Sequence, residues 1–122
     1  MPRMGGNTGT QQELVLVVPI LKDRVGDVRR LAAALTSSKS REFEESQKTL
    51  GIEKESWFLS SSGDCVIVYI EGKDVSKSVT DLISSKAPFD LWIKNEVMKV
   101  TGVAWNDPPT SPVPQLILRY GY

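Results

Sequence analysis

Apolar and polar positions change period several times along this chain, and each change marks an element. Glu13–Leu21 reads E-L-V-L-V-V-P-I-L, with five consecutive apolar residues from Leu14 to Val18. An unbroken run of that length predicts a strand covered on both faces, and Pro19, which cannot donate to a ladder, closes it. Between Lys22 and Thr36 the apolar positions Val25, Val28, Leu31, Ala32 and Leu35 follow helical spacing. The polar run Thr36–Ser40 interrupts that helix. Ser40 is the expected N-cap of a second one, with Glu42, Glu44 and Glu45 near its positive end and Gly51 as its C-cap.

Strand periodicity returns at Lys54–Ser60, where Trp57 and Leu59 share one face and Phe58 takes the other. The polar sequence Ser61-Ser62-Gly63-Asp64 supplies a tight turn, with Gly63 suited to positive φ. Cys65–Glu71 is the next strand: Cys65, Ile67 and Tyr69 point one way, and Val66, Val68 and Ile70 the other. Asp74 caps a helix over Val75–Ser84 with an apolar stripe of Val75, Val79, Leu82 and Ile83. Pro88 opens another helix, in which Phe89, Trp92, Ile93, Val97 and Val100 recur at helical spacing, and Gly102 ends it. A Pro-rich connector, N-D-P-P-T-S-P-V-P, leads to a last short strand at Gln115–Tyr120.

The predicted order is therefore β-α-α-β-β-α-α-β. Its simplest arrangement is α+β, a split βαβ or ferredoxin-like sandwich with a four-stranded antiparallel sheet, the first and third strands central and the second and fourth at the edges. Residues 1–12, rich in glycine and without an apolar core, read as a disordered lead-in, and 13–122 as one domain. Helices on one side of such a sheet leave the other side open. The apolar side chains there exceed what a monomer normally exposes, so a homodimer pairing sheet to sheet is expected; the alternative is that the Pro-rich tail and its strand fold across the sheet.

Composition mainly removes possibilities. Fifteen basic residues balance fifteen acidic ones, and the basic residues are scattered, so no field draws the chain to nucleic acid or to an anionic membrane. No apolar run reaches the ~20 residues of a membrane span, and the N-terminus lacks a secretory h-region. A cytoplasmic location is the default expectation. The chain has no histidine and one cysteine, Cys65, which removes an internal disulfide, the usual zinc ligand sets, a His-ligated haem and a Ser-His-Asp triad. No cofactor and no metal are expected.

Proton transfer is left to Asp, Glu, Lys, Tyr or Cys. Trp57, Tyr69 and Trp92 are candidate walls of an apolar ligand pocket, or alternatively core aromatics. Arg41 and Asp90 lie beside aromatic anchors near helix starts. Arg41 is read as an anion clamp or a surface ion pair, and Asp90 as a base with a raised pKa or a first-turn dipole partner. The E-F-E-E cluster at Glu42–Glu45 is a carboxylate pair or a solvated helix face. Asp64 is turn chemistry, and Cys65 a small hydrophobe.

The pattern resembles the dimeric α+β barrel superfamily, in which two ferredoxin-like subunits join sheets back to back. More narrowly it is similar to an uncharacterised group of small bacterial proteins within it. The features that carry the likeness are R-E-F-E-E-S at 41–46, Leu50-Gly51, Trp57, G-D at 63–64, V-Y-I-E at 68–71, and P-F-D-L-W at 88–92, with a Pro-rich approach to an aliphatic last strand. The narrow group implies no activity. The broader superfamily includes cofactor-independent monooxygenases, lactone isomerases, haem-degrading proteins and ligand-sensing domains, and fold alone does not choose among them. The missing histidine speaks against the haem-binding members. The resemblance leans to a cofactor-independent oxygenase or isomerase acting on a small apolar or aromatic molecule; the alternatives are a non-catalytic small-molecule binding module and a purely structural or interaction dimer. Removing residues 1–12 is expected to leave folding intact; a large drop in melting temperature of the shortened chain would show that the lead-in is part of the domain.

Overall fold

The computed structural model describes residues 11–104 and 114–121. They form an α+β layer structure in the order β1 (Gln12–Pro19), α1 (Val25–Leu35), α2 (Ser40–Leu50), β2 (Ile52–Leu59), β3 (Cys65–Gly72), α3 (Val75–Ser84) and α4 (Pro88–Thr101). The described residues give a three-stranded antiparallel sheet in the order β1-β3-β2. The apolar run of β3 therefore takes the middle position. β1, expected to be central, is an edge.

That difference comes from the C-terminal segment. Residues 114–121 form no strand. Leu116, Ile117, Leu118 and Tyr120 are exposed, Ile117 at 90% and Tyr120 at 93%. A β-prone sequence is stable as a strand only where it has a face to bury and an edge to pair with, and among the described residues nothing buries these side chains. The Arg119 guanidinium forms an ion pair with the Glu13 carboxylate. The four-stranded sheet expected from the sequence is accordingly not present among the described residues.

Strand parity is as the sequence predicts. Val66 and Ile70 of β3 are buried on the helix side, whereas Val17 of β1 and Phe58 of β2 are more than half exposed on the other side. β3 pairs with both neighbours, so that Ile67 lies opposite Val17 on one flank and Phe58 on the other. The core between sheet and helices has two centres. Leu50, Ile52, Ile70 and Val75 form one and Val28, Val66 and Val100 the other, and Val68 packs against both.

One irregularity interrupts this regularity. β2 begins at Ile52, two residues earlier than its alternation suggests, and a bulge falls between Ile52 and Lys54. Ile52 pairs with Gly72, Lys54 with Glu71 and Glu55 with Ile70. The extra residue, Glu53, restores to the helix side the parity that Ile52 would otherwise take away from Glu55, Trp57 and Leu59.

The element ends largely follow the sequence signals. Gly51 and Gly102 close α2 and α4 in the left-handed region, with φ of 78° and 72°. The Asp74 carboxylate accepts a hydrogen bond from the Lys77 N–H at 3.1 Å, capping α3. Two expectations shift. The N-cap of α2 is Lys39, without a side-chain bond, and Ser40 is already helical. The lead-in ends earlier than assigned: Gln12 is in β1, and its side-chain carbonyl accepts from the Val75 N–H at 3.1 Å. Residues 1–10 and the connector at 105–113 lie outside the described residues. Gly72 has its own reason to lack a side chain, because a Cβ there would collide with the Gly51 carbonyl where β3 passes the α2–β2 junction.

Val68 sits at the meeting point of the two core centres. Val68→Asp places an unpaired carboxylate there and is expected to destabilise the fold by about 3 kcal/mol or more. Chemical denaturation checks this; an unchanged midpoint would contradict the burial of β3.

Candidate functional site

The helix layer and the sheet do not close completely on each other. Between them lies a cavity of about 120 Å3. Its floor is Leu16 and Val18 of β1, Val66, Val68 and Ile70 of β3, and Ile52, Glu55 and Trp57 of β2; α1, α3 and α4 roof it. An engineered cavity of roughly this size with aliphatic walls stays dry and takes up benzene. The dimensions therefore suit one small, compact apolar molecule.

Three polar side chains reach the wall: Glu55, Lys94 and Thr101. Thr101 is fully engaged, its hydroxyl donating to the Val97 carbonyl at 2.7 Å and accepting from the Val103 N–H at 3.1 Å. Lys94 is buried and lines the cavity with its methylene stem. Its ammonium turns away and donates to the Ile83 and Ser85 carbonyls at 2.9 and 3.0 Å, satisfying the negative end of α3. Desolvation, helped by the nearby Lys86 charge and opposed by Asp90, holds the Lys94 pKa below its ordinary value. Glu55 differs from both. Its carboxylate accepts from the Trp57 indole N–H at 2.6 Å and the Gln47 amide at 2.8 Å, and among the described residues no cation is paired with it.

Of the residues singled out from the sequence, Trp57 alone is on this wall. Tyr69 lies on the opposite face of the sheet. Its hydroxyl is 2.5 Å from the Glu71 carboxylate and 2.8 Å from that of Glu13, residues that face each other across the β1–β3 ladder. Its one hydrogen serves one carboxylate at a time.

Trp92 belongs to an aromatic row on the helix layer, with Phe43–Phe89 and Phe89–Trp92 centroids 6.2 and 5.6 Å apart. The Lys39 ammonium stands 4.8 Å from its ring centroid. Trp92 also forms the apolar side of a groove between α1 and α4, whose charges are engaged in the pairs Arg24–Asp27, Arg30–Asp27 and Lys99–Glu96.

Asp90 is buried in α4 but faces away from the cavity. It accepts from the Ser85 hydroxyl at 2.5 Å and from the Ser46 hydroxyl, clasping α2, α4 and the turn between α3 and α4. Arg41 is exposed on α2. Glu42 and Glu44 lie near Lys39 and Lys48 on the α2 surface, as a solvated helix face would place them. Asp64 accepts from the Ser62 and Ser60 hydroxyls at 2.7 and 2.9 Å. Those bonds lower its pKa, and they mark turn chemistry. Among the described residues no three His, Cys, Asp or Glu side chains converge as a metal site would require, and no helix is long and apolar enough to cross a membrane.

Glu55 and Lys94 are not among the candidates that the sequence offers. The signal for Glu55 was present: it stands two residues before Trp57 and so on the same strand face. For Lys94 there was none beyond its place inside the apolar stripe of α4.

The surroundings of Tyr69 give a titration expectation. Burial, then the Glu71 and Glu13 carboxylates, push its phenol well above the ordinary value. Above pH ~10 the unfolded chain releases this proton while the folded chain keeps it, so this contribution to stability is complete below that pH and is lost as the pH rises. Lys94 acts with the opposite sign, since its lowered pKa makes the unfolded chain the better proton binder just below the usual lysine value. Tyr69→Phe should flatten the alkaline loss of stability, measured as the denaturation midpoint against pH; a variant with the same alkaline loss as the unaltered chain would contradict the geometry.

No protein-family profile, curated protein or solved structure matches this chain.

Proposed function

We infer that this protein is a small-molecule binding module of the cytoplasm, acting as a homodimer joined through the open face of its sheet. The observation that carries the binding reading is the cavity itself: apolar, about 120 Å3, and roofed by helices that could have closed on the sheet but do not. Protein interiors normally pack to crystal-like density, so an interior space of molecular size favours a ligand over a purely structural role. Catalysis as an oxygenase or isomerase would call on Tyr69, Asp90 or Arg41, and none of these lines the cavity. Binding without chemistry is the better-supported reading.

The dimer rests on the uncovered side. Val15, Val17, Phe58, Ile67 and Tyr69 share that face; Val17 is 54% and Phe58 56% exposed. Beyond them the exposed side chains of Leu116, Ile117 and Leu118 add apolar surface near β1, to which Arg119 ties them. A second copy presenting the same face would cover this surface isologously. This is also the arrangement implied by the resemblance to the dimeric α+β barrel superfamily, including its ferredoxin-like subunit.

Two measurements separate the parts of this reading. Toluene and indole at millimolar concentration should raise the melting temperature by preferential binding to the folded state; no shift with either would remove the binding function. Sedimentation should give about twice the chain mass, and Phe58→Lys combined with Val17→Asp should give a folded monomer. A wild-type chain that stays monomeric at micromolar concentration would remove the dimer.

A further inference from the structure

The ligand class can be narrowed, on the footing of the binding function just proposed, from the position of Glu55. This carboxylate lines two spaces at once. It is part of the cavity wall, and it also borders an outer groove between α2 and β2, whose lining includes Phe43, Gln47 and Gly51 as well as the charged side chains of Lys48 and Lys54. Glu55 and Ile52 are thus where the interior meets solvent. The bulge between Ile52 and Lys54 is what turns both toward the helix side, and bulges commonly re-aim a side chain next to a site.

The outer groove carries charges of both signs, Lys48 and Lys54 with Glu44 and Glu53; Lys48 pairs with Glu44 at 3.4 Å, and neither lysine is paired with Glu55. The indole N–H of Trp57 and the amide of Gln47 each hold one carboxylate oxygen, which fixes the group without neutralising it. Among the described residues Glu55 has no cationic partner. The nearby candidate on the cavity wall, Lys94, spends its ammonium on two backbone carbonyls. A carboxylate beside an apolar interior loses hydration and lacks a counter-charge. It also keeps acceptor capacity, since two of its about four lone-pair directions are used.

We propose that Glu55 selects the ligand, and that the ligand is a compact apolar body carrying one protonated amine, with the body inside the cavity and the ammonium on Glu55 at its mouth. The ammonium supplies the missing counter-charge through a charge-assisted hydrogen bond. The Trp57 ring, tied to the same carboxylate, adds a face that attracts cations. Anions of the same shape are repelled.

Calorimetric titration of the full chain near neutral pH with benzylamine, toluene and benzoate tests this. Benzylamine should bind about tenfold or more tighter than toluene, the gain expected of one hydrogen bond to a charged group, and benzoate should not bind. Glu55→Gln should abolish the preference for benzylamine over toluene. Toluene binding as tightly as benzylamine to the unaltered chain would overturn the selection by Glu55 while leaving the cavity function standing. So would an undiminished benzylamine preference in Glu55→Gln. Failure of all three probes would overturn the cavity function and this proposal together. The comparison among ligands on the unaltered chain decides the matter even if the variant does not fold.

Discussion

β3 presents large side chains on both of its sides, Val66, Val68 and Ile70 toward the helices and Ile67 and Tyr69 away from them. A strand of this kind must be kept from water twice over, since burial of apolar area is the main term favouring the folded state. The four helices can cover one side. On that side they build the two core centres that Val68 joins, and between those centres they leave the cavity. On the other side the described residues offer only the C-terminal segment, whose apolar side chains stay exposed. Interior space and open face are thus two results of one constraint, a single layer of helices on a two-sided strand.

Much of the fold was legible because its signals are local. The apolar runs of β1 and β3, the stripes of α1, α3 and α4, the Asp74 cap and the glycines at positions 51, 63 and 102 each depend on a few neighbouring residues. The departures arise where distant partners decide. Gln115–Tyr120 has strand-forming composition, but pairing needs an edge and a buried face, and neither can be read from six residues. The start of β2 is not legible in the sequence because the bulge at Glu53 breaks the period-2 pattern of the strand. β1 moved from the centre to the edge for want of that last strand.

The candidate site divides in the same way. Aromatic size drew attention to Trp57, Tyr69 and Trp92, yet size does not say which side of a sheet or helix a ring occupies. Trp57 faces the cavity, Tyr69 the opposite face and Trp92 the outer helix surface. Asp90 illustrates a second limit. Its burial is a matter of two serine hydroxyls, from Ser46 and Ser85, that arrive from separate elements. A carboxylate with such partners ties α2 and α4 to the turn between α3 and α4. Glu55 could have been found by parity from Trp57, but nothing in the sequence marks Lys94 as a carbonyl-capping cation.

The bulge in β2 has a bearing on solubility as well as on the site. β1 and β2 both end the sheet, and an unprotected sheet border is an invitation to edge-wise growth into filaments. The extra residue in β2 disturbs the spacing of its outward N–H and C=O groups at one end, and Lys54 adds a charge beside it. Pro19 removes a donor at the far end of β1. Straightening β2 by excising Glu53 would leave Ile52 and Glu55 on the helix side, yet it would hand the molecule a regular border along which further chains could stack.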